Sequence, residues 1–398
     1  MRKRILSSVM YLQLAAAISA SEASLRMLLQ TAVSNNPMII AADKEYSAKA
    51  NEVLPSYFPD NPSVGYEYMT TGENKFSINQ MLDFPLKTYF KGSIKTHEAM
   101  VAKYNAALVK AGTIRDIRIA YFEAAAIERL RELEKNKKME LGLFRDISGS
   151  KYKTGRGEQA DYVRAKIDIL LSEKKVLSFN AERETKLQML ARLIGGPIPA
   201  GIEFGTDGLT ADIDTGALLR ATNSFAGILI KNTALGKSED ENSLAAFDFL
   251  PDINLMGTYT TSPMGNSASV FIGLTVPIYL PFKEIPRAAA AGDMKGSAQS
   301  ELSNAVNEVI ADIASRTAVY QQSKETLALF SGTILHEARQ ALDASFKLYE
   351  TDKITFFNLL QNIIMLYDYY AEEVMARRDT YTAWAWLNYY TGISGEKK

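Results

Sequence analysis

The side chains that most often carry enzyme chemistry are scarce in this 398-residue chain. It has no Cys, which excludes a thiol nucleophile, Cys-ligated zinc, iron–sulfur clusters, disulfide bonds and an N-terminal lipid on Cys. His97 and His336 lie far apart in sequence, and neither has a nearby second ligand for a metal ion. Gly195-Gly196-Pro197 is a helix stop and not a phosphate loop, because no strand and no GK[ST] motif accompany it. We therefore predict that the chain is not an enzyme and needs no metal or cofactor.

Two further features bear on ligands. Trp384, Trp386, Tyr389 and Tyr390 could form a ligand site near the chain end, but their helical spacing favours packing against other helices. The charges balance, with 45 Lys+Arg against 46 Asp+Glu and a net charge of -1. A nucleic-acid-binding surface usually shows as a basic excess, so we expect no nucleic acid partner.

Most of the chain has the apolar periodicity of long helices. Residues 88–194 predict a long antiparallel helical hairpin that turns at Lys151–Gly157 and ends at Gly195. A second helical hairpin is predicted over 286–391, with its turn at Glu350–Lys353. Landmarks recur 197 residues apart, and this offset predicts a tandem duplication, with repeats at 24–200 and 201–398. The landmark pairs are Tyr152 and Tyr349, Leu190 and Leu387, and Gly195 and Gly392.

A β-hairpin is predicted before each helical hairpin, at 63–82 and at 252–279. Alternation places Val64, Tyr66 and Tyr68 on one face of the first. In the second, Thr261–Asn266 is the predicted loop. The predicted unit is therefore a helix, a β-hairpin and a long helical hairpin, present twice.

The N-terminus predicts a secretory signal peptide at residues 1–23. A basic start is followed by an apolar or small stretch, and cleavage after either Ala20 or Ala23 fits the small residues there. The alternative is a cytosolic N-terminal helix. No later segment reaches the roughly 18 uncharged apolar residues of a membrane helix.

Four strands with one face toward lipid cannot leave open edges in a bilayer. Membrane barrels begin at eight strands, so the chain would contribute its strands to a shared barrel: two chains give eight strands and three give twelve. Aromatic residues at strand ends are then expected at the membrane interface. They are Tyr66, Tyr68, Tyr259, Phe271 and Tyr279. The alternative is that these rings form the core of a soluble sheet.

Six short segments of the chain together carry a family resemblance. They are Asn36-Pro37, Gln80–Lys87 (QMLDFPLK), Lys151–Gly155, Leu250–Ile253, Gly273–Ile278 and Leu387–Gly392. Taken in this order, they resemble a TolC-like outer membrane efflux protein of a Gram-negative bacterium. The resemblance covers nearly the whole mature chain, and it departs from the family at residues 217–249, where the second copy has no clear Asn-Pro.

The resemblance implies a homotrimer with a twelve-stranded barrel in the outer membrane and a helical barrel in the periplasm. It implies a passive duct whose hairpin turns meet a periplasmic adaptor and, through it, an inner-membrane pump. The implied adaptor-contacting residues are Lys151, Tyr152, Gly155, Gly157, Tyr349, Asp352 and Lys353. The alternative is that they only cap the turns.

The resemblance also implies a periplasmic gate formed by Asp161, Asn358 and Gln361. Two of these are amides where some members carry Asp, so the gate is expected to be weakly acidic and a poor cation site. The alternative for Asp161 is a solvated acid at a helix N-terminus. A competing function is that of a soluble periplasmic coiled-coil adaptor, which would be expected to carry one hairpin flanked by small β-domains.

Overall fold

The computed structural model describes residues 21–70, 72–155, 157–206, 212–220, 222–351 and 353–391. Residues 1–20 of the predicted signal peptide, the tip residue Asp352 and the landmark Gly392 lie outside the described residues. Over the described ranges the chain is mainly helical with one four-stranded sheet, which confirms the predicted fold class.

Long helices dominate the described residues. Within them, every helix is too short or too polar to cross a membrane. The helices are α1 (21–35), α2 (Pro37–Val53), α3 (Pro85–Lys153), α4 (Gln159–Ile194), α5 (Thr215–Arg220), α6 (Ala226–Phe247), α7 (Glu284–Leu329), α8 (Leu335–Glu350) and α9 (Phe356–Tyr389).

The two helix–turn–helix segments have matching borders. Helices α3 and α8 end at Lys153 and Glu350, and the helices that follow them begin at Gln159 and Phe356. Each pair of borders is 197 residues apart (350 − 153 and 356 − 159), the same offset as the sequence landmarks. Helix α4 ends at Gly195, whose φ of 76° is the left-handed conformation that favours glycine.

The second copy departs from the expected single helix over 286–349. A π-helical turn at Phe330–Ile334 separates α7 from α8. This turn contains Ser331, Gly332 and Thr333, which are weak helix formers, so the regular ladder is easiest to interrupt here. Residues 217–249, where the resemblance was weakest, are largely helical in α5 and α6.

The chain divides into two compact units. The first consists of the described parts of Met1–Ile39, Lys110–Arg220 and Ala311–Lys398. One apolar cluster in it joins α1, α3, α4 and α9 around Leu28, Tyr121 and Leu190. A second joins α3, α4, α8 and α9 around Leu141 and Leu360. Packing of one apolar helix stripe against others is therefore what holds this unit together.

The second unit, Ile40–Val109 and Ala221–Ile310, contains the sheet. All strand pairs are antiparallel, and the strand order is β1-β2-β3-β4, so the two hairpins join through β2 and β3. The strands are β1 (Ser63–Tyr68), β2 (Asn74–Leu82), β3 (Asp252–Ser262) and β4 (Gly265–Thr275).

The turn between β3 and β4 is shorter than the predicted loop at Thr261–Asn266. Thr261 pairs with Asn266 and Ser262 with Gly265, which leaves Pro263 and Met264 as the connection. Proline suits the first central position of such a turn, and Gly265 accepts the positive φ of 135° that follows.

Candidate functional site

The sheet has one continuous apolar face across all four strands. In the register, Tyr66 lies opposite Phe76, and Phe76 lies opposite Tyr259, so three aromatic rings form one row. The other large apolar residues of this face are Val64, Ile78, Leu82, Ile253, Leu255, Val270, Ile272 and Leu274. Because side chains alternate along a strand, none of them can turn toward the other face without a change of register.

The opposite face of the sheet is mainly polar. Thr258 and Ser269 are cross-strand partners there, and their hydroxyl oxygens are 2.5 Å apart. Glu67 and Lys75 also pair on this face. The remaining polar residues of the face are Ser63, Ser77, Asn79, Asp252, Asn254, Thr260, Ser262, Ser267 and Thr275.

In the part of the chain that the structure describes, the apolar face is largely exposed to solvent. Val270 is 81% exposed and Tyr66 is 60% exposed, values that a soluble protein core does not show. The Tyr66 hydroxyl donates to Asn74 Oδ1 (2.6 Å), and its ring lies 5.0 Å from that of Phe76. Residues this apolar and this exposed over a whole sheet face indicate contact with a lipid or protein surface.

The predicted membrane-interface aromatics divide between different surfaces. Tyr66, Tyr68 and Tyr259 share the apolar face, and Tyr279 is exposed just after β4. Phe271 lies on the polar face instead, because its cross-strand partner is Met256 and the alternation along β4 fixes its side.

Sequence reasoning missed the ion pair that fixes the sheet to the helix after it. Lys87 Nζ, with 6% of its side chain exposed, lies 2.9 Å from Asp252 Oδ1 and donates to the carbonyl oxygen of Leu250 (2.7 Å). The same carboxylate accepts from the backbone N–H of Phe84 (3.1 Å). The start of α3 is therefore tied to the start of β3 by a satisfied buried charge pair. Lys87, at the end of the QMLDFPLK segment, was the residue by which the sequence could have indicated this ion pair.

In the first unit, the structure brings together tip residues from the two hairpin turns. Lys151 Nζ lies 4.2 Å from the ring centroid of Tyr349, at the distance of a cation–π contact. The centroid of the Tyr349 ring lies 6.2 Å from that of Phe356, and the Phe356 centroid lies 6.3 Å from that of Phe144. The two turns thus share one aromatic cluster.

The two turns end their helices in the same way. The Thr154 hydroxyl donates to the carbonyl oxygens of residues 150 and 151, and the Thr351 hydroxyl donates to those of residues 347 and 348. Gly155 has a φ of 72°, and the N–H of Lys353 donates to Leu348 O (2.8 Å). Tyr152 is 45% exposed beside these caps, and Gly157 lies against Lys151.

The predicted gate residues Asp161 and Asn358 lie in the first turns of α4 and α9, and Gln361 lies in the second turn of α9. Burial raises the pKa of the Asp161 carboxyl and Glu158 adds to the rise, while Arg164 and Lys151 oppose it. The N–H of Asn358 donates to the hydroxyl of Thr355 (3.3 Å), which caps α9, and both Asn358 and Gln361 are exposed.

The aromatic residues near the chain end pack with cations. Arg115 and Arg316 lie 4.0 and 3.7 Å from the ring centroid of Trp386. The Tyr390 hydroxyl donates to Asp312, which also accepts from Arg316 (2.9 Å).

In the described ranges, no group of three or more His, Asp or Glu side chains could hold a metal ion.

Comparison with solved structures identifies the fold of the chain. No protein-family profile and no curated protein sequence match the chain. The structure of CusC, a protein described in terms of transmembrane channel formation, superposes with a TM-score of 0.81 at 13% identity, over 93% of this chain and 92% of CusC. The chain has the TolC-like fold.

Two further structures support this assignment. The outer membrane protein VceC from Vibrio cholerae gives a TM-score of 0.80 at 16% identity, over 93% of this chain and 96% of VceC. The outer membrane channel MtrE from Neisseria gonorrhoeae gives a TM-score of 0.79 at 15% identity, over 92% of this chain and 88% of MtrE. At these identities the similarity establishes the fold, and the function must be argued from the surfaces described above.

Proposed function

We propose that this protein is an outer membrane exit duct, through which small molecules or ions leave a Gram-negative cell. The observation that carries the proposal is the sheet, with one exposed apolar face, one polar face and two outer edges in β1 and β4. An apolar face suits lipid and a polar face suits a water-filled lumen. The fold shared with outer membrane channels supports the same function.

The proposal requires further copies of the chain. Strand edges left open in lipid would each carry a row of unsatisfied N–H and C=O groups, so β4 of one copy would pair with β1 of the next. Three copies give twelve strands, enough to enclose a channel. The homotrimer is also supported by an apolar stripe on α4 that is exposed in the single chain. Its members are Val163 (44%), Ile167 (51%), Leu170 (56%) and Leu177 (65%).

The turns are proposed to meet a periplasmic adaptor and, through it, an inner-membrane pump that supplies the energy. The shared cluster of Lys151 and Tyr349 fixes the two turns as one surface, on which Tyr152 is exposed. A photo-crosslinking amino acid at Tyr152 should capture the adaptor in intact cells. The same group at Met139, which is 66% exposed on α3 and away from the turns, is the control and should not.

The gate is proposed to be weakly acidic. Asp161 is the only carboxylate among the three gate residues, and burial raises the pKa of its carboxyl. Asn358 and Gln361 can hydrogen-bond across a symmetry axis without repulsion.

The faces of the sheet can be tested directly, because the chain contains no Cys. Spin labels on Val270→Cys and Ser269→Cys report neighbouring positions on opposite faces. In membranes, the label at 270 should collide with oxygen, which partitions into lipid, and the label at 269 with a water-soluble nickel complex. If both labels are shielded from oxygen and the protein leaves the membrane without detergent, the soluble coiled-coil adaptor function would replace the channel.

A further inference from the structure

The polar face of the sheet carries one apolar interruption. Met256 on β3 and Phe271 on β4 are direct cross-strand partners on this face. Met81 on β2 is the diagonal neighbour of Met256, because it pairs with Asn254 two residues away. These three residues, which we call the lumen patch, are the large apolar side chains on a face otherwise made of hydroxyl, amide, charged and glycine residues.

Two residues of the lumen patch are exposed to solvent, and Met256 between them is half-buried. Phe271 is 53% exposed and Met81 is 49% exposed. The Phe271 ring leans along its own strand over Gly273, where an added Cβ would come within 2.6 Å of the ring. Glycine at 273 therefore leaves the space that the Phe271 ring occupies.

We propose that the lumen patch forms an apolar contact ring inside the channel, which binds the apolar part of amphiphilic organic cargo as it passes. This inference rests on the proposed function, since only the shared barrel turns the polar face into a lumen. Three copies would repeat the patch around the axis and give nine apolar side chains at one level. Met and Phe suit cargo of varied shape, because a thioether adapts to its neighbours and an aromatic face stacks on rings and organic cations.

The dimensions favour a contact ring over a seal. Twelve strands spaced about 4.8 Å apart and tilted by about 40° form a ring about 24 Å across between backbones. Side chains on one level narrow such a pore without closing it. Hydrated ions should therefore still pass, whereas a bulky apolar cation should pause at the patch.

The test uses the full mature protein in planar lipid bilayers. Tetraphenylphosphonium is the apolar cation probe and tetramethylammonium is the polar control. We expect tetraphenylphosphonium to block the wild-type current reversibly and tetramethylammonium not to block it. Combined Met256→Ser and Phe271→Ser should raise the blocking concentration about tenfold, because contacts with three aromatic and three thioether side chains are lost.

The control variant is Thr260→Ala, which changes the same face outside the patch and should leave the block unchanged. Each variant is first shown to have the wild-type mass and conductance, so that a folding defect is recognised. If the serine variant conducts and is blocked as strongly as the wild type, the contact ring is refuted while the channel stands. If the wild-type protein forms no conducting channel, the proposed function itself fails.

Discussion

At Gly155 the backbone adopts a φ of 72°, and among the described residues beyond its chain neighbours no atom lies within 4 Å of an added Cβ. Gly155→Ala should therefore cost about 1 kcal/mol through backbone strain alone. The matched control is Gly112→Ala in the interior of α3, where space is also open and φ is helical. That change should stabilise by about 0.5–1 kcal/mol. Denaturant unfolding of the detergent-solubilised variants measures the change in the free energy of unfolding for each. Equal changes at the two sites would contradict the turn geometry.

Tyr390 should make stability depend on pH at the alkaline end. Burial, together with the hydrogen bond to Asp312, raises the pKa of the Tyr390 hydroxyl to about 12, whereas an unfolded tyrosine titrates near 10. The folded state holds this proton more tightly, so the contribution is present below about pH 10 and is lost between about 10 and 12. Tyr390→Phe should be less stable than the wild type by about 1.5 kcal/mol at pH 8. Thermal unfolding should show this gap closing between pH 10 and 12, and a constant gap would contradict the assignment.

Ser21 distinguishes the two possible cleavage sites of the signal peptide. Its backbone carbonyl oxygen accepts from the buried hydroxyl of Tyr121 (3.1 Å), and Ser21 itself is 5% exposed. Cleavage after Ala23 would remove this packed residue, so we expect cleavage after Ala20. Mass spectrometry of the protein from outer membranes should give Ser21 as the first residue. A mature chain that begins at Ser24 would contradict the expectation.

Residue contacts were the hardest part to predict from the sequence. Landmark spacing made Tyr152 and Tyr349 equivalent positions of the two predicted repeats and predicted no contact between the turns. In the structure Lys151 contacts Tyr349, from different helical hairpins. Such a contact depends on helix rotation, which no local pattern specifies. Phe271 was placed at the membrane interface because it is aromatic, although the alternation Val270, Ile272 and Leu274 already put it on the opposite face.

At the scale of elements, the helix and strand patterns predicted most of the fold, because amphipathic periodicity is local information. On α3, the apolar stripe that includes Ile117, Tyr121 and Leu130 is buried. The comparable stripe on α4 is exposed in the single chain, since its partner is not part of the same chain under our proposal. The π-helical turn at Phe330–Ile334 was missed, because one extra residue per turn leaves almost no trace in an apolar pattern.

The sheet as an element predicts opposite responses to a charge on its two faces. Val270→Lys places an ammonium group on the apolar face, where the midplane of a bilayer makes it unfavourable by about 2–4 kcal/mol. Ser269→Lys places the same group on the polar face, where it stays in water. We expect at least about tenfold less folded Val270→Lys protein in outer membranes, and an unchanged amount of Ser269→Lys protein. Immunoblots of isolated membranes measure this, and equal losses would argue against a lipid-facing side.

At the scale of the whole molecule, a single chain is an incomplete structure under the proposed function. Within the described residues, its sheet has two open edges, its apolar face is largely exposed, and α4 shows an exposed apolar stripe. The sequence pointed to this through the count of strands, because four strands cannot close a barrel. It could not supply the cargo or the partners, since a passive duct has no reaction whose residues would name its substrate.

The most direct measurement is the protein mass of the complex extracted from isolated outer membranes, by light scattering corrected for bound detergent. The account predicts a mass of roughly three mature chains, released only by detergent, because three copies complete a twelve-stranded barrel. A monomer or dimer released without detergent would contradict the account, and the sheet would then have to be covered by another soluble protein.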